Sequence, residues 1–451
     1  MNDVAKPRVW LDCTGTYVST HHTGIQRVVR NLVHYGQQSG IDCQPVVLAG
    51  RQAFAVKWDP VVSASAVSER TSGSGPGGRA MSTARIAGRT LATRLRKALI
   101  PRRLAAWGTD LARWASWSIR HEPANFQPGD ILLLADTTWM YRTPPPYDAL
   151  RRSGVQVGLC MYDMIPVTHP QFLVPRAAAG FQRWLADTIP QVDFFVAISR
   201  TVRDALRDYT LANFPHAGFR PENFEWFPLG VALDQAHAAG TVRPEVIAAF
   251  AASPPAPVVS PERQPATYLS VSTIEPRKNY GLLLDAFEKI WPQYPDARLC
   301  LVGRKGWLVD DLIERIRRHS RWGQQLFWFE NLTDTELAYA YSHAKAFLFP
   351  SFVEGFGLPI VEALQYRLPV FASDTPIHRE VAGDFAAYFD SQQPASLAEI
   401  IDRFETGKPL TGLRDSSEFR PMDWQSSVCI LLEKCRQLAQ SGHRPATRNA
   451  A

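Results

Sequence analysis

The apolar positions of the chain form short runs separated by stretches with helical spacing. In the first half, the runs 131–134, 156–161 and 194–198 are apolar at nearly every position, as in parallel strands buried on both faces. A short strand at 8–12 leads through a loop to Gly24, after which apolar residues recur at helical spacing. This order of strand, glycine loop and helix predicts a doubly wound α/β domain.

The second half repeats this alternation, which predicts a second domain of the same class. The predicted strands are 268–271, 298–302, 326–329, 346–349 and 370–372, and the predicted helices are 280–292, 309–319 and 334–343. We expect two Rossmann-like domains, at 1–235 and 266–421, joined by a Pro-rich linker at 236–265 that includes a short helix. A terminal helix at 422–440 and a disordered tail at 441–451 complete the prediction.

A predicted basic helical insertion, from about residue 60 to 125, interrupts the first domain. Its start is rich in Ser and Gly, and ten Lys and Arg residues face one acid, Asp110, between residues 79 and 120. The net charge of +6 therefore comes from this segment. It could dock on anionic lipid, pack on the domain with a solvated basic face, or bind nucleic acid. We favour an anionic membrane surface as the partner of 79–120 and expect no nucleic acid.

The composition is that of a globular protein, with 45% hydrophobic and 20% charged residues in a chain of 451. It has no run of eighteen apolar residues, and no apolar signal-peptide core follows the N-terminus. The six cysteines are scattered without a Cys-x-x-Cys pair, which argues against a disulfide framework and a zinc site. We therefore expect a cytoplasmic protein with reduced thiols and no metal site.

Two carboxylates, Glu354 and Glu362, have seven residues between them, which include a Gly-Phe-Gly turn and Pro359. Proline is favoured in the first turn of a helix, so Glu354 should lie on the loop and Glu362 near the start of the helix. The unpaired amides of a helix N-terminus attract anions. This arrangement suits a ligand with a polyol, a diphosphate and a ribose in a row, which is a nucleotide sugar. The alternative is a loop and helix with solvated acids.

This stretch resembles the E-x7-E signature of the retaining glycosyltransferases of the GT-B fold, family 4, also called glycosyltransferase group 1. The resemblance implies two Rossmann-like domains facing across a cleft, with the C-terminal helix crossing back to the first domain. It implies that Glu354 binds hydroxyls of the donor sugar and that Glu362 binds the ribose. The intervening residues that it assigns to the donor site are Gly355, Phe356, Gly357 and Leu358.

Arg277 and Lys278 follow the first predicted strand of the second domain, at the edge where doubly wound sheets bind ligands. A guanidinium fork and a point charge there would stabilise the negative charge that a leaving nucleoside diphosphate gains. The segment resembles the family's phosphate-binding loop, although a solvated turn is the alternative. The resemblance also assigns to the donor site Gly24 in the glycine loop, Gly303 after the next strand, and Asn331 and Leu332 in the loop that holds the base.

The first domain departs from the family pattern at Tyr162, where many relatives carry a histidine close to the reacting sugar. Either Tyr162 and Asp163 share its polar role, or His169 is recruited; Asp163 could also merely cap a loop. We predict Arg277, Lys278, Glu354 and Asp163 as the catalytic residues.

The predicted function is a retaining, metal-independent hexosyltransferase without a cofactor. Its donor would be a nucleotide diphosphate sugar, with mannose (as GDP-mannose) or rhamnose as the guessed sugar. Its acceptor would be a polyprenyl-linked or oligosaccharide chain of a bacterial surface glycan such as O-antigen, which places the protein on the inner face of the inner membrane. The alternatives are a GT-B sugar-nucleotide epimerase and a non-catalytic nucleotide-sugar-binding subunit.

Overall fold

The computed structural model describes residues 7–19, 24–49, 52–60, 121–140, 147–231, 240–251, 267–410 and 412–441. Within these ranges the chain forms a seven-stranded and a six-stranded sheet, one in each half. Each sheet has helices on both faces, as expected for strands that are apolar on both sides.

The first sheet has the order β3-β2-β1-β4-β5-β6-β7, and every pair is parallel except β2 with β3. Its strands are β1 (Val9–Asp12), β2 (Cys43–Ala49), β3 (Gln52–Ala55), β4 (Ile131–Leu134), β5 (Gln156–Met161), β6 (Phe194–Ala197) and β7 (Phe224–Trp226). The helices of this half are α1 (Thr14–Tyr17), α2 (Gly24–Gln38), α3 (Tyr147–Arg152), α4 (Ile165–Thr168), α5 (Pro175–Thr188) and α6 (Arg200–Asn213).

The second sheet is parallel throughout, in the order β10-β9-β8-β11-β12-β13. Its strands are β8 (Thr267–Val271), β9 (Arg298–Val302), β10 (Leu326–Phe329), β11 (Ala346–Phe349), β12 (Val370–Ser373) and β13 (Ala386–Phe389). The remaining helices are α7 (Pro244–Phe250), α8 (Tyr280–Ile290), α9 (Asp310–Arg318), α10 (Asp334–His343), α11 (Leu358–Gln365), α12 (Pro376–Ala382), α13 (Pro394–Glu405) and α14 (Trp424–Gln440).

The alternation of side chains along β1 shows how the first core is built. Val9 and Leu11 point to one face and join the cluster that α2 covers, whereas Trp10 points to the other face. Local hydrogen bonds fix the helix starts: Ser199 Oγ, for example, accepts the amide of Val202 at 3.1 Å and caps α6.

The terminal helix α14 belongs to the core of the first half, although it follows the second. Val428 and Leu431 lie in the same buried cluster as Val9. A Cβ added to Gly230 would lie 2.5 Å from the Cα of Trp424, so this close approach of the two backbones requires glycine. The α/β class and the two parallel sheets agree with the prediction, and α14 crosses back to the first half as the resemblance implied.

Several predicted parts lie at or beyond the limits of the described residues. Residues 61–120, which include the basic segment, and residues 442–451 of the tail lie outside them. The chain re-enters the first sheet within the predicted insertion, since the amide of Ala124 donates to Ala53 at 2.8 Å. Within the predicted linker, α7 is packed on the second half because Val246 and Phe250 are buried there. None of the described helices combines the length and apolarity that crossing a membrane requires.

Candidate active site

Glu354 lies between two cations at the carboxyl edge of the second sheet. Arg277 Nη1 donates to Glu354 Oε2 at 2.6 Å, and Lys278 Nζ donates to Glu354 Oε1 at 2.5 Å. The side chains of Glu354 and Lys278 are 8% and 9% exposed. Arg277 also pairs with Glu275 at 2.6 Å. The structure therefore brings three of the four predicted catalytic residues into one buried cluster.

The backbone holds this cluster in place. Residues Pro276–Lys278 form a single 3₁₀ turn after β8, and Asn279 ends it in the left-handed conformation with φ of 53°. The amide of Phe352 donates to the carbonyl of Arg277 at 2.8 Å, and Arg277 Nη1 donates to the carbonyl of Val353 at 3.1 Å. The loop that carries Glu354 is thus fastened to the turn that carries both cations.

Glu354 is ionised at neutral pH. Burial by itself would raise the pKa of its carboxyl group, but the charges of Arg277 and Lys278 outweigh that effect and lower the pKa to about 2. An ionised carboxylate accepts hydrogen bonds only, and its two oxygens offer about four lone-pair positions. Glu354 can therefore accept hydroxyl groups of a ligand while it keeps both cations.

Glu362 is held by residues from both halves of the chain. Its Oε1 accepts a hydrogen bond from Arg27 Nη1 at 2.5 Å, and its Oε2 accepts one from the hydroxyl of Tyr341 at 3.0 Å. Arg27 lies in the first turns of α2, and Tyr341 lies on α10. The two motif carboxylates thus differ, because the cations of Glu354 come from its own half and the cation of Glu362 comes from the other half.

The two glycines between the carboxylates are each required, for different structural reasons. Gly357 precedes α11 with φ of 101°, a left-handed conformation that favours glycine. A Cβ added to Gly355 would lie 2.0 Å from the carbonyl oxygen of Tyr162, in the first half. Phe356 and Leu358 pack against the first core cluster. The loop between the carboxylates is therefore in close contact with both halves of the molecule.

Further contacts between the halves flank this loop. Ser199 Oγ donates to the carbonyl of Gly355 at 2.9 Å. The carboxylate of Glu380 accepts the backbone amides of Arg200 at 2.6 Å and Thr201 at 2.8 Å, at the N-terminus of α6. Anions are favoured at that end of a helix. Trp307 Nε1 donates to the carbonyl of Phe172 at 2.8 Å. The structure is therefore closed around the site.

A cavity of about 190 Å³ adjoins this site and is lined from both halves. Its lining residues are Trp139, Met161, Tyr162, Asp163, Ile165, Pro166, Leu173, Phe181, Arg277 and Trp307. The lining is mostly apolar and aromatic, with Asp163 as its acidic and Arg277 as its basic side chain, as is usual for small-molecule sites. The fourth predicted catalytic residue therefore shares a cavity with Arg277.

Asp163 bonds to the backbone at the start of a helix and also lines the cavity. Its Oδ1 accepts the amide of Ile165 at 3.0 Å and so caps the start of α4. Burial raises the pKa of its carboxyl group, although the nearby charge of Arg277 works in the opposite direction. A carboxyl group with a raised pKa in a cleft is a candidate for proton transfer or for hydrogen bonding to a substrate hydroxyl.

Tyr162 and His169 were the candidates for the role of the histidine that many relatives carry near the reacting sugar, and both side chains bond elsewhere in the chain. The hydroxyl of Tyr162 donates to the carbonyl of Ala135 at 2.5 Å, so it is directed into the core. His169 Nδ1 contacts Thr168 Oγ1 at 2.8 Å, and the His169 ring stacks on Phe172. Asp163 is thus the polar side chain of this segment that lines the cavity.

The other predicted donor residues lie around the second sheet and at the start of α2. A Cβ on Gly303 would lie 1.9 Å from the carbonyl oxygen of Ser272. The close approach of these two backbone segments therefore accounts for glycine at this position. Asn331 is exposed and its carbonyl accepts Arg243 Nη2 at 3.0 Å, while Leu332 is half-buried. Gly24 begins α2, and a Cβ there would meet no described atom within 4 Å.

Four residues of the site were missed from the sequence: Arg27, Tyr341, Glu380 and Glu275. A signal for Arg27 is its place three residues after Gly24, at the end of the glycine loop. Tyr341 and Glu380 carry no local signal, because their partners lie elsewhere in the chain. Within the described ranges, no group of three or more His, Cys, Asp or Glu side chains is placed to hold a metal ion.

The sequence relatives are glycosyltransferases. Residues 257–415 match the family model of glycosyl transferases group 1. The serotype-specific mannosyltransferase WbdA of Escherichia coli is 30% identical over 319 residues, which cover 69% of this chain and 38% of that protein. O-antigen chain mannosyltransferase B of Escherichia coli is 32% identical over 166 residues, which cover 35% of this chain and 42% of that protein. The chain thus matches less than half of the length of these two relatives.

Solved structures agree on the fold. The structure of Anabaena Alr3699/HepE, in complex with UDP and glucose, aligns with a TM-score of 0.56 at 14% identity and covers 96% of this chain and 99% of that chain. Sucrose-phosphate synthase from Thermosynechococcus elongatus aligns with a TM-score of 0.52 at 14% identity and covers 97% of this chain and 95% of that chain. With the two sheets, these findings show the GT-B fold, and by sequence the chain resembles the group 1 glycosyltransferases, the O-antigen mannosyltransferases among them.

Proposed function

We propose that this chain transfers a hexose or 6-deoxyhexose, with mannose or rhamnose as the leading candidates, from a nucleoside diphosphate sugar to a growing surface glycan. The observation that carries the proposal is the buried cluster in which Glu354 accepts hydrogen bonds from Arg277 and Lys278. The mannosyltransferase relatives support mannose, and GDP-mannose is then the proposed donor.

In this proposal the second domain binds the donor. Hydroxyls of the donor sugar bind Glu354, and the ribose hydroxyls bind Glu362. The diphosphate lies against Arg277 and Lys278, whose positive charges match the charge that develops as the glycosidic bond breaks. Because these cations are fixed before the ligand arrives, they need little reorganisation during the reaction.

The proposed reaction retains the anomeric configuration. The acceptor hydroxyl attacks the anomeric carbon from the face that the diphosphate leaves, so one C–O bond forms as the other breaks. The proton of the hydroxyl passes to an oxygen of the departing diphosphate. The products are the glycoside and the nucleoside diphosphate. This route uses no protein nucleophile and no metal ion, and the protein supplies positioning and charge.

We place the acceptor in the cavity beside Asp163. Its volume of about 190 Å³ exceeds the roughly 150 Å³ of an engineered protein cavity that binds benzene. The cavity is therefore large enough to hold about one sugar ring. Trp139 and Trp307 offer flat apolar faces, and Asp163 offers a polar group that can orient an acceptor hydroxyl. We further propose a lipid-linked acceptor and peripheral association with the inner face of the inner membrane through residues 79–120.

Calorimetric titration of nucleotide sugars tests the donor assignment. GDP-mannose, GDP-rhamnose, UDP-glucose and UDP-N-acetylglucosamine would be titrated into the wild type, Glu362→Ala and the control Glu399→Ala, whose carboxylate is exposed on α13. We expect one nucleotide family to bind and its affinity to fall at least tenfold only in Glu362→Ala. The proposal is overturned if the wild type binds none of the four.

Product analysis separates transfer from the two alternatives. With the donor that binds and a mannose-terminated acceptor, a transferase yields a new glycoside, whose anomeric configuration nuclear magnetic resonance reports. An epimerase would instead convert the donor sugar without an acceptor. A binding subunit would leave both substrates unchanged. Either result would contradict the proposed reaction.

A further inference from the structure

Arg27 reaches from the first domain into the part of the site that the second domain otherwise builds. Its guanidinium donates to Glu362 Oε1 at 2.5 Å, although the two residues are 335 positions apart in sequence. The side chain of Glu362 is 6% exposed, whereas that of Arg27 is 36% exposed. The contact therefore joins a buried carboxylate of one domain to a half-exposed cation of the other.

The two motif carboxylates receive their charge partners in different ways. Glu354 is paired with Arg277 and Lys278, which lie in its own domain and stay with it when the domains separate. Within its own domain, Glu362 accepts a hydrogen bond from the neutral hydroxyl of Tyr341, and no ion pair joins it to a cation of that domain among the residues that the structure describes. Separation of the domains would remove the cation from Glu362 and leave Glu354 unchanged.

This difference has an energetic consequence. A buried carboxylate that lacks a cationic partner is costly to keep ionised, since desolvation is then not compensated. The carboxylate of Glu362 has about four lone-pair positions, and Arg27 and Tyr341 account for two of them. Ribose hydroxyls can therefore bind Glu362 while Arg27 keeps its carboxylate oriented.

We propose that Arg27 is a positioning residue of the donor site: it orients Glu362 for the ribose of the nucleotide, and it does so only when the two domains are closed. This inference rests on the proposed function, in which Glu362 binds the ribose. It makes recognition of the ribose depend on closure, whereas recognition of the sugar by Glu354 does not.

A thermodynamic cycle tests this role, in which the affinity of each nucleotide is measured for each variant. GDP and UDP, each with its 2′,3′-dideoxy analogue, would be titrated into the full chain as wild type, Arg27→Ala and Arg27→Lys. For the wild type we expect the dideoxy analogue to bind about tenfold more weakly, in line with the loss of hydrogen bonds to a charged group. In Arg27→Ala the ribonucleotide should bind about tenfold more weakly and the dideoxy penalty should largely disappear. Arg27→Lys should restore part of both.

Glu380→Gln is the matched control, because Glu380 also joins the domains but contacts α6 rather than a donor residue. It should weaken both forms of the nucleotide by the same factor and keep the dideoxy penalty. The inference is overturned if Arg27→Ala behaves like this control or leaves both affinities unchanged. If the wild type binds neither GDP nor UDP, the proposed function fails and the inference fails with it.

Discussion

Glu354 shares its buried surroundings with two cations and a second carboxylate, Glu275, so the four charges nearly balance before any ligand arrives. A pair of buried charges is stabilising only when each member keeps its partners. Glu354 is bonded to both cations, so its loss would remove a partner from each of them. A nucleotide diphosphate would bring further negative charge to the same two cations.

Replacement of Glu354 by Gln should destabilise the protein in a pH-dependent manner. Breaking a buried pair costs about 3–5 kcal/mol, so we expect the free energy of unfolding at neutral pH to fall by about 3 kcal/mol. The pKa of Glu354 is lowered from 4.5 to about 2 in the folded protein. Its contribution is therefore full above pH 4.5 and is lost as the pH falls towards 2. Urea unfolding at several pH values measures the difference between wild type and variant.

Glu399→Gln provides the matched control for this measurement, since it removes an exposed carboxylate on α13. Its free energy of unfolding should stay within about 0.5 kcal/mol of the wild type at neutral pH. A difference between Glu354→Gln and the wild type that stays constant down to pH 2.5 would show that the ionised form of Glu354 is not stabilised as the structure indicates.

The sequence was informative about single residues where the signal was local. The spacing of Glu354 and Glu362 around a glycine turn placed both correctly on a loop and at the start of a helix. Arg27 could not be assigned to Glu362, because the pairing depends on how the two domains meet. The hydroxyl of Tyr162 bonds to the carbonyl of Ala135, just after β4, and no local signal in the sequence indicates that contact.

At the scale of elements, the second half was the more predictable. The predicted bounds of β9, β10, β11 and α10 match the structure, because each apolar run is bordered by polar or small residues. The edge strand β3 was missed, since an edge strand is short and carries little apolar signal. A short helix was predicted within the linker segment, but its packing on the second half was not, because the segment is rich in proline and alanine.

Gly355→Ala should prevent the loop between the carboxylates from approaching the first domain. The added Cβ would lie 2.0 Å from the backbone oxygen of Tyr162, which cannot move aside as a flexible side chain can. A misplacement of about 1 Å at a reacting site can cost about a hundredfold in rate, so we expect a loss of that order in transfer rate. Small-angle scattering should show a larger radius of gyration for the variant.

Gly281→Ala is the control for this substitution. Gly281 lies in α8, and a Cβ there would meet no described atom within 4 Å. Its transfer rate and radius of gyration should match those of the wild type, because alanine is favoured over glycine inside a helix. A Gly355→Ala variant that is as active and as compact as this control would contradict the proposed importance of the close approach.

At the scale of the whole molecule, the charge is uneven: ten Lys and Arg residues and one acid lie between residues 79 and 120. This segment lies outside the described residues, and its docking on anionic lipid stays a prediction. Deleting it should lower binding to phosphatidylglycerol vesicles at low salt and leave nucleotide affinity unchanged. Cosedimentation with the vesicles measures the first quantity and calorimetry the second.

A full-length variant distinguishes the loss of positive charge from the loss of the segment itself in that experiment. Here every Lys and Arg between residues 79 and 120 is replaced by Gln, and we expect the same loss of vesicle binding as in the deletion. Vesicle binding that survives both changes would assign docking to another surface of the molecule.

The place of α14 has a consequence for the order of folding. Its buried residues Trp424, Val428 and Leu431 complete the core around β1, near the opposite end of the chain. Domains generally fold as units during synthesis, the N-terminal one first. Here the first domain emerges from the ribosome without one wall of its core and stays incomplete until the second domain and α14 have been made. The first domain therefore depends on the complete translation of the second.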